Sequence, residues 1–132
     1  MTKVEFENVI AGSPTLTTHG FGIDGNPGES FELEREKLSD CYDEALACEQ
    51  FLQSCLRTKK PHKQLGSTYG LKHAVERFIK AHKHQAIYIL EGALIAAALF
   101  LGFQMMPKKD TTSVYLNISM KTRIDGKWIY AY

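Results

Sequence analysis

Tyr69, His73 and Glu76 are spaced four and three residues apart, so a helix through them places all three on neighbouring turns. A carboxylate beside an imidazole can orient the ring, and a phenol one turn away can donate a hydrogen bond. Together they have the composition of an acid/base set centred on His73. The same side chains can also fasten a helix to its surroundings, and that is the expected role. His73, His82 and His84 are the one cluster of histidines. No cysteine or carboxylate at ligand spacing completes a metal set around them, so no metal is assigned. His73 is expected to pack beside Tyr69, and His82 and His84 to sit at a helix end, where cations suit the dipole.

Cys41, Cys48 and Cys55 recur every seven residues. On one helix that step spans about 10.5 Å, too far for a disulfide. Buried free thiols in a reducing compartment are expected. A thiol nucleophile would need a histidine within hydrogen-bond reach, which the sequence does not supply. The stretch GFGIDGNPG lacks the Gly-Lys-Ser/Thr ending of a phosphate-binding loop, and no cofactor is assigned.

A different chemistry is offered by the cations. Lys59, Lys60 and Lys63 fall in a basic linker over 58–66, Lys72, Arg77 and Lys80 follow on the next predicted helix, and Lys83 lies just past its end. These seven can contact phosphates, although the linker has no interleaved aromatics on which bases would stack. Charge is split along the chain. Residues 1–55 carry three basic and eleven acidic side chains; residues 56–132 carry thirteen basic and four acidic ones. Such asymmetry steers partners, or draws two copies or two halves together.

The elements that position these groups follow from periodicity. Alternation at Val4 and Phe6 predicts a short strand within 2–10, and residues 11–30 read as a Gly/Pro-rich loop. An apolar stripe from Leu38 to Leu56 predicts one long helix, from about residue 30 to 57. Leu71, Ala74, Val75, Phe78 and Ile79 predict an amphipathic helix over 68–81. The run ALIAAALFL predicts a buried helix over 92–101 capped by Gly102, too short to span a membrane. Val114, Leu116 and Ile118 alternate as a strand, and Asp125-Gly126 marks a tight hairpin whose last strand would show Trp128, Tyr130 and Tyr132 on one face. The expected fold is α+β in a single domain over 1–132. It has a helical core with one long amphipathic helix, two shorter helices and a small C-terminal antiparallel sheet.

Residues 67–119 also carry Tyr-Gly-Leu-Lys-His at 69–73, Gly-Ala-Leu-Ile-Ala-Ala at 92–97, Leu-Gly-Phe at 101–103 and Asn-Ile-Ser at 117–119. This stretch resembles small uncharacterised accessory proteins of bacterial phages, plasmids and other mobile elements. The resemblance implies a compact protein that works by binding, and it assigns no catalytic residue. With no signal-peptide pattern at the N-terminus, a cytoplasmic location is expected. The expected function is non-enzymatic binding to a protein partner, such as host nucleic-acid-processing or defence machinery, or to a second copy. Nucleic-acid binding through residues 57–83 is the alternative, and a small enzyme centred on His73 the second alternative.

Overall fold

The computed structural model describes residues 1–23, 29–84 and 86–132. Its first element is a helix, α1 (Lys3–Ala11), where the alternation predicted a strand. The reason is a capping box. Thr2 Oγ1 accepts from Glu5 N–H at 3.1 Å, while Glu5 Oε1 accepts from Thr2 N–H at 2.8 Å. Phe6 and Ile10, four apart, then bury one face.

The expected loop over 11–30 contains a small hairpin, β1 (Leu16–Thr17) against β2 (Gly20–Phe21). Residues 24–28 of that loop lie outside the described residues.

The single long helix is overturned. α2 (Glu29–Ser39) and α3 (Tyr42–Gln53) are separate, and Cys41 stands between them as the N-cap of α3. Asp40 N–H and Cys41 N–H close onto Lys37 O and Leu38 O, and Ser39 Oγ bonds back to Glu36 O at 2.6 Å. Ser and Asp compete for backbone groups in this way, so Ser39-Asp40 ends the helix. Cys55 lies beyond the end of α3, so the three thiols do not share one helix. All three are free and buried, and burial pushes the Cys55 thiol up to about 12 and those of Cys41 and Cys48 higher still. Arg35 on α2 donates to Ser13 O, Leu16 O and Ile10 O at 2.8–3.2 Å, tying α2 to the end of α1 and to β1.

The amphipathic helix forms as α4 (Thr68–Lys83), and the apolar run as α5 (Glu91–Phe100). Every residue of α5 from Glu91 to Ala98 is buried, and α1, α3, α4 and β2 pack around it. Small side chains let these neighbours approach closely. α5 closes with Gly102 N–H on Leu99 O and Phe103 N–H on Ala98 O, the paired bonds of a Schellman motif.

The rest of the chain adds two more two-stranded antiparallel sheets: β3 (Met105–Pro107) with β4 (Val114–Leu116), and β5 (Arg123–Ile124) with β6 (Lys127–Trp128). Asp125 and Gly126, at φ 51° and 82°, form the two-residue turn of the last hairpin. The final strand is shorter than expected, because residues Ile129–Ala131 turn into a 3-10 helix. The fold is thus α+β, with five α-helices and three small sheets among the described residues, rather than three helices and one C-terminal sheet.

The 58–66 linker is fastened at its start. Arg57 bridges to Ile118, Thr58 N–H donates to Asn117 O at 2.9 Å, and Asn117 Nδ2 donates to Thr58 O at 3.0 Å. His62 Nε2 lies 2.5 Å from Ile118 O. No helix among the described residues is long and apolar enough to cross a membrane.

Candidate nucleic-acid interface

The C-terminal hairpin brings cations and aromatic rings together. Its register sets Arg123 opposite Trp128, and the guanidinium lies 4.1 Å from the centroid of the indole ring. Trp128 and Tyr130 are parallel to within 6°, with centroids 6.1 Å apart. They remain 38% and 58% exposed. Lys127 Nζ sits 5.1 Å from the centre of the Tyr132 ring. These cation–π contacts hold the charges beside the rings without neutralising them.

α4 continues the surface. Arg77 Nε donates to Tyr132 O, and Arg77, Lys80 and Lys83 are exposed. A cleft of about 210 Å³ runs between α4 and the C-terminal segment, with Arg77, Tyr130, Tyr132 and Gln64 on its walls. Gln64 of the basic linker lies on its wall, and Lys59, Lys60 and Lys63 of the same linker are exposed, Lys63 with its ammonium 5.8 Å from the Tyr115 ring centre. Lys72 belongs elsewhere, since it is buried between Tyr69 and Tyr88.

Among the described residues, no Lys or Arg of 56–132 lies within 4.0 Å of a carboxylate of 1–55. The ion pairs among the described residues lie within the acidic half, Met1 N-terminus–Glu49 and Lys37–Glu34, or involve histidine.

His82 fastens the hairpin to α4. Its Nδ1 lies 2.8 Å from Phe78 O, its Nε2 contacts Asp125, and its ring packs on Phe78. The Phe78 carbonyl first, and Asp125 second, raise its pKa above 6.5. A folded-state value above the unfolded one makes this tie complete below the unfolded imidazole value of about 6.5. It is lost as pH rises through the higher folded value. NMR titration is expected to place His82 above the unfolded value, with amide protection across β5 and β6 falling as the ring deprotonates. An unshifted His82, or protection independent of pH, would contradict the tie.

The acid/base candidates do meet. His73 Nδ1 is 2.8 Å from Glu76 Oε1, and the Tyr69 ring stands edge-on to the imidazole at 5.5 Å. Glu76 Oε2 accepts from Ile89 N–H at 3.0 Å, so the carboxylate also staples the segment leading into α5. The cavity beside them is about 190 Å³ and includes Arg77 and Lys80. Its lining offers no hydroxyl or thiol nucleophile. The three histidines do not converge: His73 pairs with Glu76, His82 with Asp125, and His84 ends α4 in a left-handed conformation. Among the described residues no group of three or more His, Cys, Asp or Glu side chains is placed to hold a metal.

Sequence reasoning found the lysines but missed Arg123, Trp128 and Tyr130 as members of this surface. The signal was present: a two-residue Asp-Gly turn fixes the pairing of residue 123 with 128. Compared with known proteins, the chain matches no family model, no curated protein and no solved structure.

Proposed function

We propose that this chain binds single-stranded nucleic acid, as an accessory protein of the kind its central stretch resembles. The observation that carries the proposal is the exposed Trp128–Tyr130 pair, flanked by Arg123 and Lys127 and continuous with Arg77. Parallel, accessible rings accept unstacked bases, and the surrounding cations follow the phosphates. The rings favour a single strand, because duplex bases are already stacked. α5, whose residues Glu91–Ala98 are buried, cannot enter a groove.

A protein partner or a second copy is supported by the same charge segregation, since an acidic surface would fit the basic face. It accounts less directly for the stacked rings. A His73-centred enzyme is supported only by the pair with Glu76, beside a cavity whose lining includes Arg77 and Lys80.

Trp128 is the single tryptophan, so its fluorescence reports on the proposed contact directly. Single-stranded DNA and RNA oligomers are expected to quench it, with duplex DNA binding more weakly. At roughly four phosphate contacts, affinity should fall about 30- to 50-fold between about 50 and 200 mM salt. Trp128→Ala, followed by oligomer anisotropy, should weaken binding about 5- to 100-fold. Absence of binding at low salt, or salt-insensitive binding, would remove the proposal. Light scattering across the same salt series reports self-association, and a salt-sensitive dimer without oligomer binding would favour the second copy.

A further inference from the structure

A second cleft, separate from the stacked rings, opens where the β1–β2 hairpin meets α4 and the start of α5. It encloses about 210 Å³, and its walls include Lys72, Glu91, Tyr69, Tyr88, Thr18 and His19. Lys72 is only 8% exposed. Its ammonium lies 5.1 Å from the Tyr69 ring centre and 5.2 Å from that of Tyr88, and among the described residues it has no hydrogen bond or ion pair. Glu91 is 5% exposed. One of its oxygens accepts from Thr68 Oγ1 at 2.5 Å, and Thr68 Oγ1 in turn accepts from Val114 N–H at 3.2 Å. Glu91 is also the first residue of α5, where the helix dipole favours the carboxylate.

Lysine and glutamate are seldom this buried unless paired, because an unpaired charge out of water is strongly disfavoured. Here the opposite charges line one cavity, yet no salt bridge joins them within 4.0 Å. Each is fixed by its own surroundings, Lys72 by the two rings and Glu91 by Thr68 and the helix start. The opposite rim is also anchored. Thr18 Oγ1 bonds Glu34, the His19 ring lies 3.7 Å from the same carboxylate, and the Thr18 hydroxyl holds the Glu34 pKa below its usual value. A cavity with two opposite, separated charges is complementary to a ligand that carries both.

We propose that this cleft binds a small zwitterion of the free α-amino acid class, its carboxylate on the Lys72 ammonium and its ammonium on the Glu91 carboxylate. The volume supports that size class, being below the roughly 300–1,000 Å³ of sites for drug-sized molecules. The tyrosine rings form the flanks, and Leu90 supplies an apolar surface for a side chain.

The test uses the full chain and the twenty common L-amino acids at millimolar concentration, read by saturation-transfer NMR and thermal shift. At least one amino acid is expected to bind, with propionate and propylamine, its single-charge analogues, weaker by roughly tenfold or more. Lys72→Met keeps the apolar stem, and Glu91→Gln keeps an acceptor for Thr68. Each should reduce binding by a similar factor while leaving oligomer quenching of Trp128 unchanged. If either variant fails to fold, Tyr88→Ala, at an exposed position, gives the same readout. No binding by any of the twenty, equal binding of a single-charge analogue, or undiminished binding by the folded variants would overturn the proposal. None of these outcomes bears on nucleic-acid binding, which Trp128 reports independently.

Discussion

Gly92→Ala is expected to destabilise the chain by about 3–4 kcal/mol, near the upper end for a single added methyl. A Cβ at this position would lie 1.9 Å from Thr17 O, 2.8 Å from Thr17 C and 3.0 Å from Thr18 Cα. All three are backbone atoms, so no side-chain rotation relieves the overlap. Gly92 N–H also donates to Thr18 O at 3.1 Å, which fixes the hairpin directly over the first turn of α5. Separating the two would strain this bond, the Arg35 bond to Leu16 O and the Thr18 contact with Glu34. Gly70 supplies the control. It also lies in a helix, α4, but a Cβ there meets nothing within 4 Å. Gly70→Ala should be neutral or stabilising by up to about 1 kcal/mol. Urea unfolding followed by Trp128 fluorescence compares the two. A Gly92→Ala midpoint equal to that of the unsubstituted chain would show that the hairpin does not rest on α5 this closely.

That close approach joins residues 17–18 to residue 92, and a contact of such range leaves little trace in local periodicity. What was legible is what neighbouring residues determine. The spacing of Leu71, Val75 and Phe78 produced α4, the alanine-rich run produced α5, Gly102 ended it, and Asp125-Gly126 turned the last hairpin. The errors have local causes too. Val4 and Phe6 alternate like a strand, but Thr2 and Glu5 close a capping box that decides for helix. From Leu38 onward the apolar stripe is continuous even though the backbone is not, because the last turn of α2 buries Leu38, the junction buries Cys41 and α3 buries Ala45 and Cys48. The stripe therefore concealed the break at Ser39-Asp40.

The candidate surfaces divide in the same way. Arg77, Lys80 and Lys83 could be placed near one another from their spacing, but Trp128 and Tyr130 join them through tertiary contacts, Arg77 to Tyr132 across 55 residues and His82 to Asp125. Lys72 looked like another surface cation. Nothing near it in sequence showed that Tyr88 would fold over its ammonium or that Glu91 would share its cleft.

The aromatic cluster beneath the C-terminal segment carries the second large expected effect. Phe51 on α3 is fully buried and meets Phe78 of α4 edge-on at 5.4 Å and Tyr132 at 6.5 Å. Phe78 and Tyr132 close the triangle at 5.9 Å. Phe51→Ala removes the ring common to α3, α4 and the chain end, and should cost about 3–5 kcal/mol. Against a total stability of roughly 5–15 kcal/mol, this is a large fraction, and the melting temperature should fall on the order of 10–20 °C. Phe51→Leu keeps most of the volume and should cost less than about 1.5 kcal/mol. The loss should also reach the proposed nucleic-acid face. Tyr132 is held from below by Phe51 and Phe78, while its hydroxyl donates to Ile124 O at 3.1 Å and its carbonyl accepts from Arg77. Once the floor is removed, Tyr130 and Trp128 should lose their fixed alignment. At a temperature where Phe51→Ala is still folded, oligomer affinity should therefore be weaker than for Phe51→Leu. Unchanged affinity in folded Phe51→Ala would mean that the ring pair is held by the hairpin alone, and equal unfolding midpoints for the two variants would refute the core role of Phe51.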